Sequence, residues 1–273
     1  MSDGEDDQAQ LSLNDFSIPP QPDVIDKIRE AYPNVGEVSR LIHLDPGLAS
    51  ATLKVVNSAA FSLKQSISSI NHAVMLLGLE RIMSLVNIAA LKEALGCPKK
   101  LMTFWDHAND IAVSCAVIAE ETKFLTTEEA YTLGLFHNTG ILILGNKFDD
   151  YLDIVHECYK HEVVTELEDK RYRTNHTVIG YYLAKTWKLP EFLCLAIRDH
   201  HDMPHIMKHS EEEAHALAIL KLSEHICKEY KTLGEADIDP EWPQIEAVVL
   251  DHLHLSEFDY EEICYKVKDR LIQ

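Results

Sequence analysis

Basic charge is what this 273-residue sequence has least of: 25 lysines and arginines stand against 45 aspartates and glutamates, a formal net charge of −20. A chain of that sign is repelled by nucleic-acid phosphates and by anionic membranes, so neither is expected as a partner. Long apolar runs are also absent. The nearest, VMLLGLERIMSLVNIAAL, is broken by charge, and no transmembrane helix is expected. The opening MSDGEDDQAQLSLND has neither the basic start nor the apolar stretch of a secretory signal, and reads as a disordered acidic leader over residues 1–15. The six cysteines (Cys97, Cys115, Cys158, Cys194, Cys227, Cys264) form no CxxC pair, and four of them lie inside helical patterns as buried thiols would, which points to a reducing, cytoplasmic setting. No repeat of about 20 to 50 residues is evident, which disfavours a solenoid.

What is present is helical spacing. A hydrophobic content of 46% is ordinary for a globular protein, and a chain of this length hides about 75% of its unfolded surface. The periodicity predicts an all-α fold, with helices near 21–32, 35–44, 46–59, 69–77 and 79–95. A second series is predicted near 101–122, 127–145, 147–160, 162–169, 175–188, 190–201, 211–231, 240–252 and 256–271. Asp45-Pro46 has the chemistry of a helix start, an oxygen cap followed by a residue whose missing N–H costs nothing there. Thr126-Thr127-Glu128-Glu129 has capping-box spacing. Gly96-Cys97-Pro98-Lys99-Lys100 interrupts the pattern and is the expected boundary between lobes.

The stretch LIHLDPGLASATLKVVNSAAFSLKQSISSINHAVMLLGLERIMSLV, with Asp45-Pro46, Asn57-Ser58-Ala59 and Leu77-Gly78, resembles the HDOD family, as does the opening Pro19-Pro20-Gln21-Pro22. Later pieces (FWDHANDIA, GLFHNTG, NHTVIGYYLAKTWKLP and AIRDHH) look like the HD-related lobe of the same family. The resemblance implies a two-lobed helical fold: an N-terminal HDOD lobe over 16–98, an HD-like bundle over 99–232, and C-terminal helices over 233–273 packing on that bundle. It also implies a regulatory module that contacts other proteins, and a signalling partner is expected as a separate protein. On the residues alone, Asn57-Ser58-Ala59 reads as a helix terminus and Gly78 as a turn or a close contact.

Five histidines lie on apolar helical faces in the second half. His107 aligns with Ile111, Ser114 and Ile118; His137 with Leu133, Ile141 and Leu144; His176 with Ile179, Gly180 and Leu183. His200, beside His201, follows Leu193 and Ile197, and Glu224 is flanked by Leu217, Leu220 and Cys227. A carboxylate on an apolar face needs a cation nearby. Imidazole with carboxylate suits iron, manganese, zinc or nickel, one or two ions; the competing reading is a metal-free relic whose imidazoles bond to one another and to carbonyls. The remaining ten histidines show no such order and read as surface residues.

The order H…HN…H…HH…E resembles the H…HD…H…HH…D pattern of HD and HD-GYP phosphohydrolases, and two departures stand out. Asn138 occupies the place of the signature aspartate, and an amide has no charge and cannot act as a general base. Ile141 stands where the HD-GYP pattern has a lysine. Lys170, Arg171 and Arg173 are candidates to reach a phosphate at the pocket mouth, or a solvated basic cluster. The expected function is therefore a regulatory, non-catalytic module that binds a protein and a small, phosphorylated ligand. A metal-dependent phosphohydrolase using His107, His137, His176, His200, His201 and Glu224 is the alternative.

Overall fold

The computed structural model describes residues 15–58, 63, 65–96, 103–202 and 210–272, and every regular element among them is a helix. The expected leader, Ala59 and most of the Gly96–Lys100 boundary lie outside the described residues. Five helices come first: α1 (Asp23–Ala31), α2 (Val35–His43), α3 (Pro46–Val56), α4 (Ile70–Leu77) and α5 (Leu79–Leu95). The Asp45 carboxylate accepts from the Leu48 amide at 3.0 Å with Pro46 at the first position of α3, as the dipeptide predicts. Asn57 ends the same helix and holds the following loop: its amide donates to the Leu53 and Ile67 carbonyls and its Oδ1 accepts from the Ile67 N–H. Its side chain is consumed by helix termination. Gly78 lies between α4 and α5 at φ 86°, where a side chain is strained, and an added Cβ would meet nothing within 4 Å. The glycine serves the turn, not close packing.

Eleven helices follow: α6 (Phe104–Thr122), α7 (Thr127–Phe136), α8 (Thr139–Lys147), α9 (Tyr151–Cys158), α10 (Glu166–Tyr172), α11 (His176–Thr186), α12 (Glu191–Asp199), α13 (Glu211–Cys227), α14 (Glu229–Gly234), α15 (Trp242–His252) and α16 (Glu257–Ile272). The Thr126/Glu129 capping box that opens α7 is complete in both directions. Two segments that read as single helices are broken. The stretch 127–145 divides at His137-Asn138, and 211–231 divides at Lys228, which adopts the left-handed conformation at φ 57°. Both breaks fall at the candidate site.

The helices share one apolar core. Helix α5 packs on α3 and α4 and also on α7; α6 lies against α7, α13 and α16; α11 lies against α8 and α12. Trp187, fully buried at the end of α11, ties the start of the chain to this core. Its indole N–H donates to the Pro19 carbonyl at 3.0 Å, and Gln21 donates to the Trp187 carbonyl and to Asn87 of α5. The Pro-Pro-Gln-Pro stretch is thus a strap across the two halves of the molecule. Helices α15 and α16 lay Ile245, Val249, Ile263 and Val267 onto α13 and α6. No helix among the described residues is long and apolar enough to cross a membrane, and the five described cysteines are free thiols.

Candidate metal centre

Helix ends make the site. His137 closes α7 and Asn138 opens α8; His176 is the first residue of α11; His200 and His201 follow the last turn of α12; Glu224 is in the last turn of α13 and Glu229 in the first of α14. His107 projects from the first turn of α6. Close approach of α8 and α11 brings the first two histidines together. A Cβ on Gly140 would lie 2.0 Å from the His176 carbonyl oxygen, so only glycine fits there.

Four of the five histidines at the centre are held by Nδ1. His137 Nδ1 lies 2.7 Å from the Gly134 carbonyl, and His200 Nδ1 lies 2.8 Å from that of Ile197. His176 Nδ1 meets the Glu168 carboxylate at 2.7 Å, and His201 Nδ1 meets both Glu241 oxygens at 3.1 Å. All four partners are pure acceptors, so Nδ1 must carry the proton; in the neutral rings of His176, His200 and His201 this leaves Nε2 with a free lone pair, whereas His137 Nε2 faces the Glu229 carboxylate. The Nε2 atoms of His107, His176, His200 and His201 are buried without a hydrogen-bond partner, and so are Glu224 Oε1, Glu229 Oε2 and Asn138 Oδ1. Seven orphaned polar atoms on one site are costly in an apolar interior unless something else satisfies them.

The donors fall into two adjoining groups. Ligand atoms of His176, His200 and His201 lie within 4.8 Å of one another, and so do those of His137, Glu224 and Glu229. The His137 and His200 rings, 5.4 Å apart, join the groups. His137 Nε2 is 3.2 Å from Glu229 Oε1 and 3.8 Å from Glu224 Oε1; His107 Nε2 is 3.8 Å from Glu229 Oε1. The six residues singled out from the sequence are therefore brought together. Imidazole nitrogen with carboxylate oxygen, in two sets of three, fits a first-row transition metal such as iron, manganese, zinc or nickel.

Four residues were missed. Glu168, fully buried, accepts from Tyr151 at 2.5 Å and from the His176 backbone N–H at 3.1 Å while holding the His176 ring. Glu229 accepts from the Asn138 amide at 2.8 Å. The Lys221 ammonium, 3% exposed, bridges Glu224 at 2.5 Å and Glu241 at 2.8 Å. Nothing in the local sequence marks the three glutamates: Glu168 stands in an acidic run, Glu241 in a Pro-flanked loop, and Glu229 past an unmarked helix break. Other expectations need correction. Arg171 pairs with Asp150 at 2.9 Å with more than half of its side chain exposed, as in the solvated-cluster alternative, and the cavity at the centre is lined without it. His215 is buried and stacked on Phe124, and His225 is stacked on Trp242, so these two of the ten remaining histidines are packed. His205 and His209 lie outside the described residues.

Burial depresses the pKa of His107, and depresses those of His200 and His201 well below the ordinary value. Burial works the same way on His137, but the Glu229 and Glu224 carboxylates outweigh it and raise its pKa. Burial lifts the Glu224 carboxyl to about 8 against the pull of Lys221. It opposes charge on Glu229 too, yet His137, His107 and Lys221 hold that group down to about 2. Lys221 stays an ammonium because its two carboxylates overcome its own burial. A cavity of about 130 Å³, walled by Phe104, Leu152 and Leu233, reaches His107, His137, Asn138 and Glu229.

The HDOD domain family matches residues 18–203, more than half of the chain, and the protein belongs to that family. An HDOD domain protein of unknown function from Geobacter sulfurreducens superposes with a TM-score of 0.72 at 27% identity, over 93% of this chain and 90% of that one. A protein from Shewanella amazonensis SB2B titled "putative phosphohydrolase" shares the fold with a TM-score of 0.71 at 22% identity, over 93% and 91% of the two chains. An uncharacterised protein of Treponema pallidum (strain Nichols) is 27% identical over 200 residues, 69% of this chain. The match spans 38% of the length of that curated relative. The family match includes the five histidines of the centre and stops short of Lys221, Glu224, Glu229 and Glu241.

Proposed function

We propose that this HDOD protein is a regulatory module organised around a transition-metal centre, binding a protein signalling partner and a small ligand without turning one over. The observation that carries the reading is the shared state of His176, His200 and His201: each has Nδ1 committed to an acceptor and Nε2 buried with no partner. Those three would hold one ion, and His137, Glu224 and Glu229, with His107 beside them, a second. A bound dication would supply Lewis acidity and an attachment point for an oxygen-bearing ligand. The chain's own residues set the rest. Glu168 and Glu241 fix the orientation of two rings, and Phe104, Leu152 and Leu233 give the cavity beside the donors apolar walls.

The size of the cavity argues for a small ligand and against nucleotide hydrolysis. About 130 Å³ falls below the roughly 300–1,000 Å³ of pockets that take drug-sized ligands. Asn138 contributes no base, and Ile141 is fully buried and offers no cation for phosphate. The second reading, a metal-dependent phosphohydrolase, draws on the opening of that cavity onto His107 and His137. Turnover of phosphomonoesters, nucleotides and cyclic dinucleotides, measured with added iron, manganese and zinc, separates the two. The regulatory reading predicts no rate above the metal-only blank. Metal-dependent turnover that disappears in His137→Ala would establish the hydrolase instead.

A further inference from the structure

We infer that Glu229 supplies to the metal centre the carboxylate that the HD pattern has at position 138, so that the charge stands on another helix and Asn138 has become its holder. The inference rests on the reading of the site as a metal centre and names a ligand within it.

Three contacts support the exchange. The Asn138 amide donates to Glu229 Oε1 at 2.8 Å and to the Tyr159 hydroxyl at 3.0 Å, which fixes the amide nitrogen toward the carboxylate. Glu229 is 2% exposed, and its Oε1 also lies 3.2 Å from His137 Nε2 and 3.8 Å from His107 Nε2. Its second oxygen, Oε2, is buried with no partner, as are Glu224 Oε1 and His107 Nε2 beside it. The break at Lys228 is what puts Glu229 there. On an uninterrupted helix, positions 224 and 229 are five residues apart and diverge by about 140°, whereas the left-handed turn at φ 57° brings both carboxylates to His137. An aspartate at 138 would set a second anion against Glu229 where the amide now donates. The asparagine thus serves the relocated carboxylate as a donor, and its presence does not mean that the site has lost an anion.

The test is metal binding by the full chain, stripped with chelator and titrated with Mn(II) and separately with Zn(II), with stoichiometry from elemental analysis and folding checked by circular dichroism. E229Q preserves shape and removes the charge. It is expected to weaken the affinity at least about tenfold. Adding N138D to E229Q returns a carboxylate to the signature position facing an amide, and is expected to restore affinity to within about threefold of the unmodified protein. Unchanged affinity in E229Q, or a loss that N138D does not reverse, overturns the inference while leaving the metal centre standing. Failure of the unmodified chain to bind either ion overturns the centre itself and the inference with it. If E229Q alone does not fold, the double variant decides: folded and metal-binding, it upholds the exchange; folded without metal, or unfolded, it overturns it.

Discussion

Single imidazoles differ here by what each ring nitrogen has been given. His200 and His201 have burial and neighbouring positive groups against protonation, His107 has burial, and His137 has two carboxylates in favour of it. The linkage has opposite signs on the two sides of neutrality. Below about pH 6.5 the unfolded chain takes up protons that folded His107, His200 and His201 refuse, so their contribution to stability is complete above that pH and lost below it. The raised pKa values of Glu224 and His137 act the other way. Their contributions are present at low pH and decline as pH rises through their folded values, toward about 8 for Glu224. Urea denaturation of the metal-free protein across pH 5 to 9 is therefore expected to show greatest stability near about pH 6.5, with a fall on each side. A profile rising steadily from pH 6 to 9 contradicts these assignments.

Glu168 is the other residue on which much depends. It accepts from Tyr151, from the His176 backbone and from the His176 ring, all in the interior. Glu168→Ala leaves three donors unmatched, and is expected to lower unfolding stability by about 3–5 kcal/mol and metal affinity by about 10- to 100-fold. Chemical denaturation and metal titration check the two effects separately.

At the scale of helices, the site owes its geometry to interruptions. The imidazole series was legible in the sequence because each histidine stands among apolar neighbours at helical spacing, a pattern that survives small errors in helix boundaries. The breaks were not legible. LFHNTGILIL is apolar on both sides of His137, so it reads as one helix, and the alignment of His137 with Ile141 and Leu144 does not continue past Asn138, where φ −101° and ψ 11° start a new helix. Lys228 takes a left-handed turn that glycine or asparagine usually marks, and with neither residue there Glu229 stayed hidden. Periodicity found the histidines through their apolar neighbours, but it carried no sign of the helix break that places Glu229. Gly140 shows how tightly two such helices are joined. Gly140→Ala would drive a methyl into the His176 carbonyl, and is expected to cost about 3–5 kcal/mol, with loss of metal binding because α8 and α11 must separate. Thermal melting of the variant with and without metal checks this.

Across the whole molecule, the histidines and Glu168 come from one part of the chain and the rest of the charged complement from another. The family match carries all five histidines, and the later helices bring Lys221, Glu224, Glu229 and Glu241. Glu241, just ahead of α15, reaches both His201 and Lys221, so the C-terminal helices help build the centre in addition to covering α13. The site's buried carboxylates have one buried ammonium among them, Lys221, which bridges Glu224 and Glu241. A dication would add to that positive charge and meet the orphaned nitrogens at once.

Transition-metal content of the protein, purified without chelator and read by elemental analysis with X-ray absorption at the bound element, tests that claim most directly. The account predicts at least about one equivalent of a first-row metal with imidazole in its coordination sphere, lost in a folded His200→Ala variant. Less than about a tenth of an equivalent, persisting after reconstitution with iron, manganese, zinc and nickel, would contradict it.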